Sequence, residues 1–228
     1  DYMPRDGKRA GAWCTSFRGQ RYDGGSRVEP VVVNVCSMTP PSADKPALQT
    51  IDNVETMFHE FGHALQCMLT RVDEEDAAGI NLVEWDAVEV ASQFMENYAY
   101  EPEVLKTYAF HYETGEVIPD ELIEKINKAS AFNQGFVTTE LLSASILDMD
   151  FHELTSAEGL DVNAFEAESL KKMGMIDEII VRYRPTFYNH IFTTGYEAGY
   201  YSYTWSAVLD ADAFAAFKET GDLFEAET

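Results

Sequence analysis

Apolar positions recur at helical spacing through most of this chain. Over residues 54–70, Met57, Phe58, Phe61, Ala64, Leu65 and Met68 draw one apolar stripe, which predicts an amphipathic, buried helix. Residues 50–53 offer its cap. Over 82–100, Val83, Ala87, Val90, Phe94 and Tyr98 repeat every three or four positions and predict a second long helix, ended by Glu101-Pro102. Shorter helices are expected at 103–114, 121–132, 138–154, 162–173, 176–184 and 210–217. Asp120 caps one of them, Leu141, Leu142, Ile146 and Leu147 face the core from another, and Pro185 stops a third. Two stretches follow a different rule. Residues 12–17 are short and β-prone, and 30–38 are rich in β-branched residues between prolines. They predict a small sheet beside the helix at 54–70. The expected fold class is therefore mainly α, with a minor β element near the N-terminus. Repeats, low-complexity tracts and clear linkers are absent, so the chain reads as a single domain.

Composition narrows the function. The chain has 228 residues, enough to bury a sizeable core. Its formal net charge of −24 argues against nucleic-acid binding and against docking on anionic membranes. No apolar run approaches a membrane span, and no signal-peptide pattern opens the chain. It starts at Asp1 rather than Met, which leaves an export signal upstream open. Cys14, Cys36 and Cys67 are an odd count without metal spacing. They read as reduced thiols, in keeping with a cytoplasmic setting.

The chemistry concentrates at His59-Glu60-Phe61-Gly62-His63, an HExxH pattern. Residues four apart share a helix face, so both imidazoles can bind one metal ion. Glu60 follows the first ligand and can reach a water on that ion without binding it. Two neutral nitrogens, an open position and an adjacent base describe a zinc hydrolase. The bland alternative is a pair of surface histidines with no metal. A third ligand is still needed, and the segment 82–100 supplies Glu84, Asp86, Glu89 and Glu96. Glu89 is preferred, with Asp86 three residues away to orient a histidine. Glu84 is the alternative, and spacing alone does not choose. Glu55, four residues before His59, can accept the other N–H of a ligating histidine. It can equally be a solvated glutamate in a first turn. His111 and His152 stand in no ligand pattern and read as structural or exposed.

A second patch, residues 187–205, carries His190, Tyr196, Tyr200, Tyr201 and Tyr203 around Gly195 and Gly199. Tyrosine hydroxyls and an imidazole N–H suit a developing oxyanion, and two close glycines allow movement over bound substrate. The competing reading is an aromatic core stripe.

Taken together, PRDGKRAGAW, NVCSMTPP, FHEFGHALQ, VEWDAVEVASQFMENY, HYETGE, FNQGF and HIFTTGYEAGYYSYTW run in one order along the chain. They resemble blocks of the thimet oligopeptidase family of zinc metallopeptidases, particularly its bacterial oligopeptidase A and peptidyl-dipeptidase branch. The resemblance implies a neurolysin-like zincin core that hydrolyses short peptides with one Zn2+. It implies His59, His63 and Glu89 as ligands, Glu60 as catalytic base, and Glu55 and Asp86 as acids supporting the histidines. His190, Tyr196 and Tyr203 match the loop that contacts substrate and stabilises the transition state, and Tyr200 lies in the same loop. Departures are Ala91 for the family's usual Pro, Gln66 for a common His, and Tyr98 for a common Trp. Family members are much longer, so residues 1–228 look like a catalytic-core segment. The remainder of a parent chain would complete a substrate channel. The rival reading is a non-enzymatic helical interaction module in which zinc is structural or absent.

Overall fold

A computed structural model describes residues 1–224. The chain is mainly helical, with strands confined to the N-terminal region. The strands are β1 (Trp13–Arg18), β2 (Arg21–Asp23), β3 (Ser26–Val28) and β4 (Val31–Val35). The helices are α1 (Ile51–Leu69), α2 (Val90–Tyr100), α3 (Pro102–Tyr108), α4 (Asp120–Ser130), α5 (Gln134–His152), α6 (Val162–Lys172), α7 (Asn189–Thr193) and α8 (Ser202–Thr220). The described residues divide into two compact units. One comprises Asp1–Asn127 with the chain from Ser206 onward; the other is Lys128–Trp205.

In the first unit, β1 and β4 pair antiparallel from Trp13 opposite Val35 to Arg18 opposite Val31, with an irregularity after Ser16. This is the pairing that the two β-prone stretches predict. Between them β2 and β3 form a hairpin around Gly24 and Gly25, which the pattern did not reveal. Helix α1 begins at Thr50, whose side chain accepts from the Asn53 N–H at 3.2 Å. Its buried positions are Glu60, Gly62, Ala64 and Cys67. Phe61, expected on the buried stripe, remains 43% exposed.

Gly62 is what lets α1 and α2 approach. A Cβ there would lie 2.6 Å from the Ser92 Cα and closer still to the Ala91 carbonyl oxygen. The glycine that weakens helix propensity is therefore required by packing. Beyond the crossing, Phe94, Tyr98, Phe214 and Phe217 pack edge-to-face or tilted, and the Tyr98 hydroxyl donates to the Leu223 carbonyl at 3.0 Å.

The second unit has its core between α5, α6 and the aromatic segment. Ala144, Leu147 and Phe151 of α5 pack with Val181, Tyr188, Ile191 and Tyr200. Asp161 caps α6 by accepting from the Asn163 and Ala164 N–H groups, and Arg184 pairs with Glu166 at 2.7 Å.

Four expected elements differ. The helix at 82–100 starts only at Val90; before it the chain makes a 3-10 turn, Trp85–Ala87, and Leu82 has φ +55°. The helix at 103–114 ends at Tyr108, because Phe110 bridges to Val117 across a turn with Gly115 at φ +71°. No helix forms at 176–184. Gly174, at φ +80°, ends α6 with the Met175 N–H reaching back to Leu170, and Ile176 and Ile180 are left 57% and 67% exposed. The last helix is longer than expected and takes in Tyr203.

Candidate metal centre

Helix α1 carries His59 and His63 on one face, one turn apart, with ring centroids 5.0 Å apart and planes at 85°. Glu89 is the residue capping α2, at φ −93° and ψ 0°. Its backbone is not helical, and its carboxylate meets both rings. Glu89 Oε2 lies 3.3 Å from His59 Nε2 and 3.1 Å from His63 Nε2. One donor atom from each residue falls within 4.8 Å of the others. Among the described residues, this is the one group of three or more His, Cys, Asp or Glu side chains so arranged. Glu84, the alternative acid, lies outside it.

The electrostatics favour a cation at this point. Glu89 is 1% exposed, and burial opposes its charge. Hydrogen bonds from both histidines outweigh burial and hold the carboxyl well below its usual range. Ser92 adds a hydrogen bond from its hydroxyl to Glu89 Oε2 at 2.7 Å. Burial also opposes a charge on His59, but Glu89 and Glu96 raise its pKa to about 10. With no ion bound, a proton on His59 balances the acids. Two imidazole nitrogens and one carboxylate oxygen, all aimed at one point, are the donor set Zn2+ takes in catalytic sites, so the residues fit the metal. Glu60 lies beside them, 4% exposed, with Oε2 buried and lacking a protein partner. Burial pushes its carboxyl up, against the pull of His59 and His63.

The supporting acids are not those that spacing predicts. Glu96 Oε1, not Glu55, lies 2.5 Å from His59 Nδ1. Glu55 makes no such contact with His59, and its carboxyl is pushed up by burial and by Glu96. The reason is helix geometry. Glu89 caps α2 and Glu96 lies about two turns on within it, so both carboxylates meet the His59 ring on α1. The seven-residue spacing was the signal that could have found it. Asp86 sits in the 3-10 turn, where its backbone carbonyl accepts from the Ser206 hydroxyl at 2.9 Å. It does not join Glu89 on a helix face, because α2 has not yet begun.

His190, Tyr196, Tyr200 and Tyr203 all belong to the second unit and are brought together there. Tyr196 stacks on Tyr203 at 5.4 Å with planes 6° apart, and His190 meets Tyr196 edge-on at 5.8 Å. Tyr200 is 3% exposed and packed against Tyr183, Tyr188 and His190. Its ring is core, so it supports the segment rather than offering a contact surface. His111 stays at the surface, while His152 pairs with Asp148 at 2.9 Å.

A mainly α protein with two imidazoles and a carboxylate from an HExxH helix and its neighbour falls in the class of metallopeptidases. Comparison with known proteins agrees: the model of Peptidase family M3 matches residues 1–228, and the chain belongs to that family. It is 44% identical over 222 residues to organellar oligopeptidase A, chloroplastic/mitochondrial, of Arabidopsis thaliana, covering 94% of this chain and 28% of that protein. It is 42% identical over 230 residues to oligopeptidase A of Escherichia coli (strain K12), covering 100% of this chain and 34% of the relative. It is likewise 42% identical over 225 residues to dipeptidyl carboxypeptidase of the same organism, covering 98% and 33%. The chain thus spans about a third of the length of these relatives. No helix among the described residues is long and apolar enough to cross a membrane.

Proposed function

We propose that this chain is the catalytic core of a zinc metallopeptidase that hydrolyses short peptides. His59, His63 and Glu89 hold one Zn2+. When bound, the ion supplies Lewis acidity at the peptide carbonyl and makes water more acidic. Glu60 takes a proton from the attacking water and returns it to the leaving amine. Its burial suits this task, since a raised carboxyl pKa makes it a better proton carrier near neutrality. Glu96 holds His59 with Nδ1–H toward its carboxylate and Nε2 toward the metal. Tyr203 and His190 donate hydrogen bonds to the oxyanion, and Tyr196 positions substrate. The names of two relatives, oligopeptidase A and dipeptidyl carboxypeptidase, support short peptides as substrates. Residues 1–228 act within a longer chain whose remainder completes the channel. The three free thiols support a cytoplasmic location.

The observation that carries this reading is the convergence of both HExxH imidazoles on the buried carboxylate of Glu89. The test is Glu60→Gln in the intact protein. Stoichiometric zinc with turnover of a quenched-fluorescent peptide reduced by roughly 10²–10⁴-fold is expected. Turnover like that of the wild type would refute the mechanism.

A further inference from the structure

Asp148 lies in α5 and is fully buried, at 0% exposure. A bare carboxylate there is costly unless its oxygens are occupied. The Ala198 N–H donates to Oδ1 at 2.9 Å and the Tyr200 N–H donates to Oδ2 at 2.9 Å. His152 Nδ1, one turn along the same helix, lies 2.9 Å from Oδ1. Burial pushes the carboxyl up, and these three partners pull it down.

The two amides belong to the turn between α7 and α8. That turn is held locally by the Tyr196 N–H to the His190 carbonyl at 3.1 Å, and by the Gly199 N–H to Tyr196 at 2.9 Å. It also contains Gly195 at φ +97° and Ala198 at φ +53°, the latter unfavourable for a residue with a side chain. A strained non-glycine conformation persists only where its surroundings enforce it. Asp148 does so by taking the N–H of Ala198 itself and of Tyr200 two residues on. The same few residues bear the ring cluster: Tyr196 on Tyr203, Tyr200 against Tyr203 at 5.0 Å, and His190 against Tyr196 and Tyr200.

We infer that Asp148 is a positioning residue: it clamps the backbone of the turn at 195–201 from below and so sets His190, Tyr196 and Tyr203 in the arrangement that catalysis uses. The inference rests on the role proposed above for those three side chains. Preset donors contribute because they need no reorganisation when charge develops. A loosened turn therefore costs transition-state stabilisation more than substrate affinity.

The test uses the intact, zinc-loaded protein. Asp148→Asn has nearly the same shape, but its amide nitrogen cannot accept, so one backbone N–H loses its partner. Amide exchange should accelerate at least about tenfold across 195–201 and stay unchanged in α6. kcat should fall at least about tenfold with KM nearly constant. His152→Gln keeps both backbone bonds and should match the wild type in both readings. A measurement without any variant stands beside these: in the wild type, the Ala198 and Tyr200 amides should exchange far more slowly than that of Glu197. Unprotected Ala198 and Tyr200 amides, or exchange in Asp148→Asn that rises evenly over α5, α6 and α7, would overturn the clamp. Locally faster exchange with unchanged kcat would overturn the positioning role. If Tyr203→Phe also left kcat unchanged, the fault would lie in the substrate role given to the turn.

Discussion

Glu96 faces His59 across the α1–α2 interface, its Oε1 2.5 Å from Nδ1, while the Nε2 of the same ring points to Glu89. The imidazole is thus held between the carboxylates of Glu89, which caps α2, and Glu96 within α2. An acceptor at Nδ1 fixes the tautomer that leaves Nε2 free to bind a metal. Losing such a partner costs about 10–100-fold in metal affinity. Glu96→Gln should weaken zinc binding by that factor in a competition with a chromogenic chelator. Glu55→Gln, at a residue that is not the partner of His59 Nδ1, should change it little. Equal effects would show that Glu96 has no special role.

Gly62 makes a second expectation quantitative. A methyl group there meets the backbone of Ala91 and Ser92, which cannot rotate aside as a side chain does. Gly62→Ala should raise intrinsic helix propensity and still destabilise the protein, by about 1–3 kcal/mol, the usual range for overpacking. Because Glu89 caps α2, zinc affinity should fall with stability. A denaturant titration paired with metal analysis reads both.

The histidine charge predicts a pH dependence. In the metal-free protein, His59 is raised from 6.5 to about 10, against the effect of burial, by Glu89 and Glu96. A folded pKa above the unfolded one stabilises fully below the unfolded value and stops doing so as pH rises through the folded one. Stability of the zinc-free protein should therefore decline between about pH 6.5 and 10. Zinc needs the neutral ring, so its affinity should rise over the same interval, with proton release on binding. Calorimetry in buffers of different ionisation enthalpy measures that release.

Glu60 should show a trade-off between stability and function. Burial raises its carboxyl pKa, so the fold favours the protonated form. The sign is the same as for His59: stability is greatest at low pH and declines as the group ionises. In chelator-treated protein near neutrality, Glu60→Gln should melt at a higher temperature than the wild type, and the gap should close toward acid pH. An unchanged or lower melting temperature would contradict it.

Much of the site was legible because its chemistry is local. His59, Glu60 and His63 lie within one and a half helical turns, where sequence spacing is spatial spacing. The β1–β4 pairing was legible from two β-prone stretches. Glu96 stands seven residues from Glu89, a legible spacing, but the sequence does not say that it rather than Glu55 meets His59 Nδ1; the crossing of α1 and α2 decides that. Asp148 and His152 stand four apart, a spacing that the reading of His152 did not use, and the other partners of Asp148, the Ala198 and Tyr200 amides, are fifty and fifty-two residues away.

The sequence by itself determined the HExxH helix, the mainly α character and the family, since each depends on residue type and short-range period. Only the tertiary structure decided which carboxylate faces which ring nitrogen, why Gly62 is tolerated within a helix, and that Tyr200 is core. Those outcomes depend on where α2 begins and how closely it crosses α1, or on what packs around an aromatic ring. Long-range contacts set all of them, and hydrophobic periodicity carries no record of such contacts.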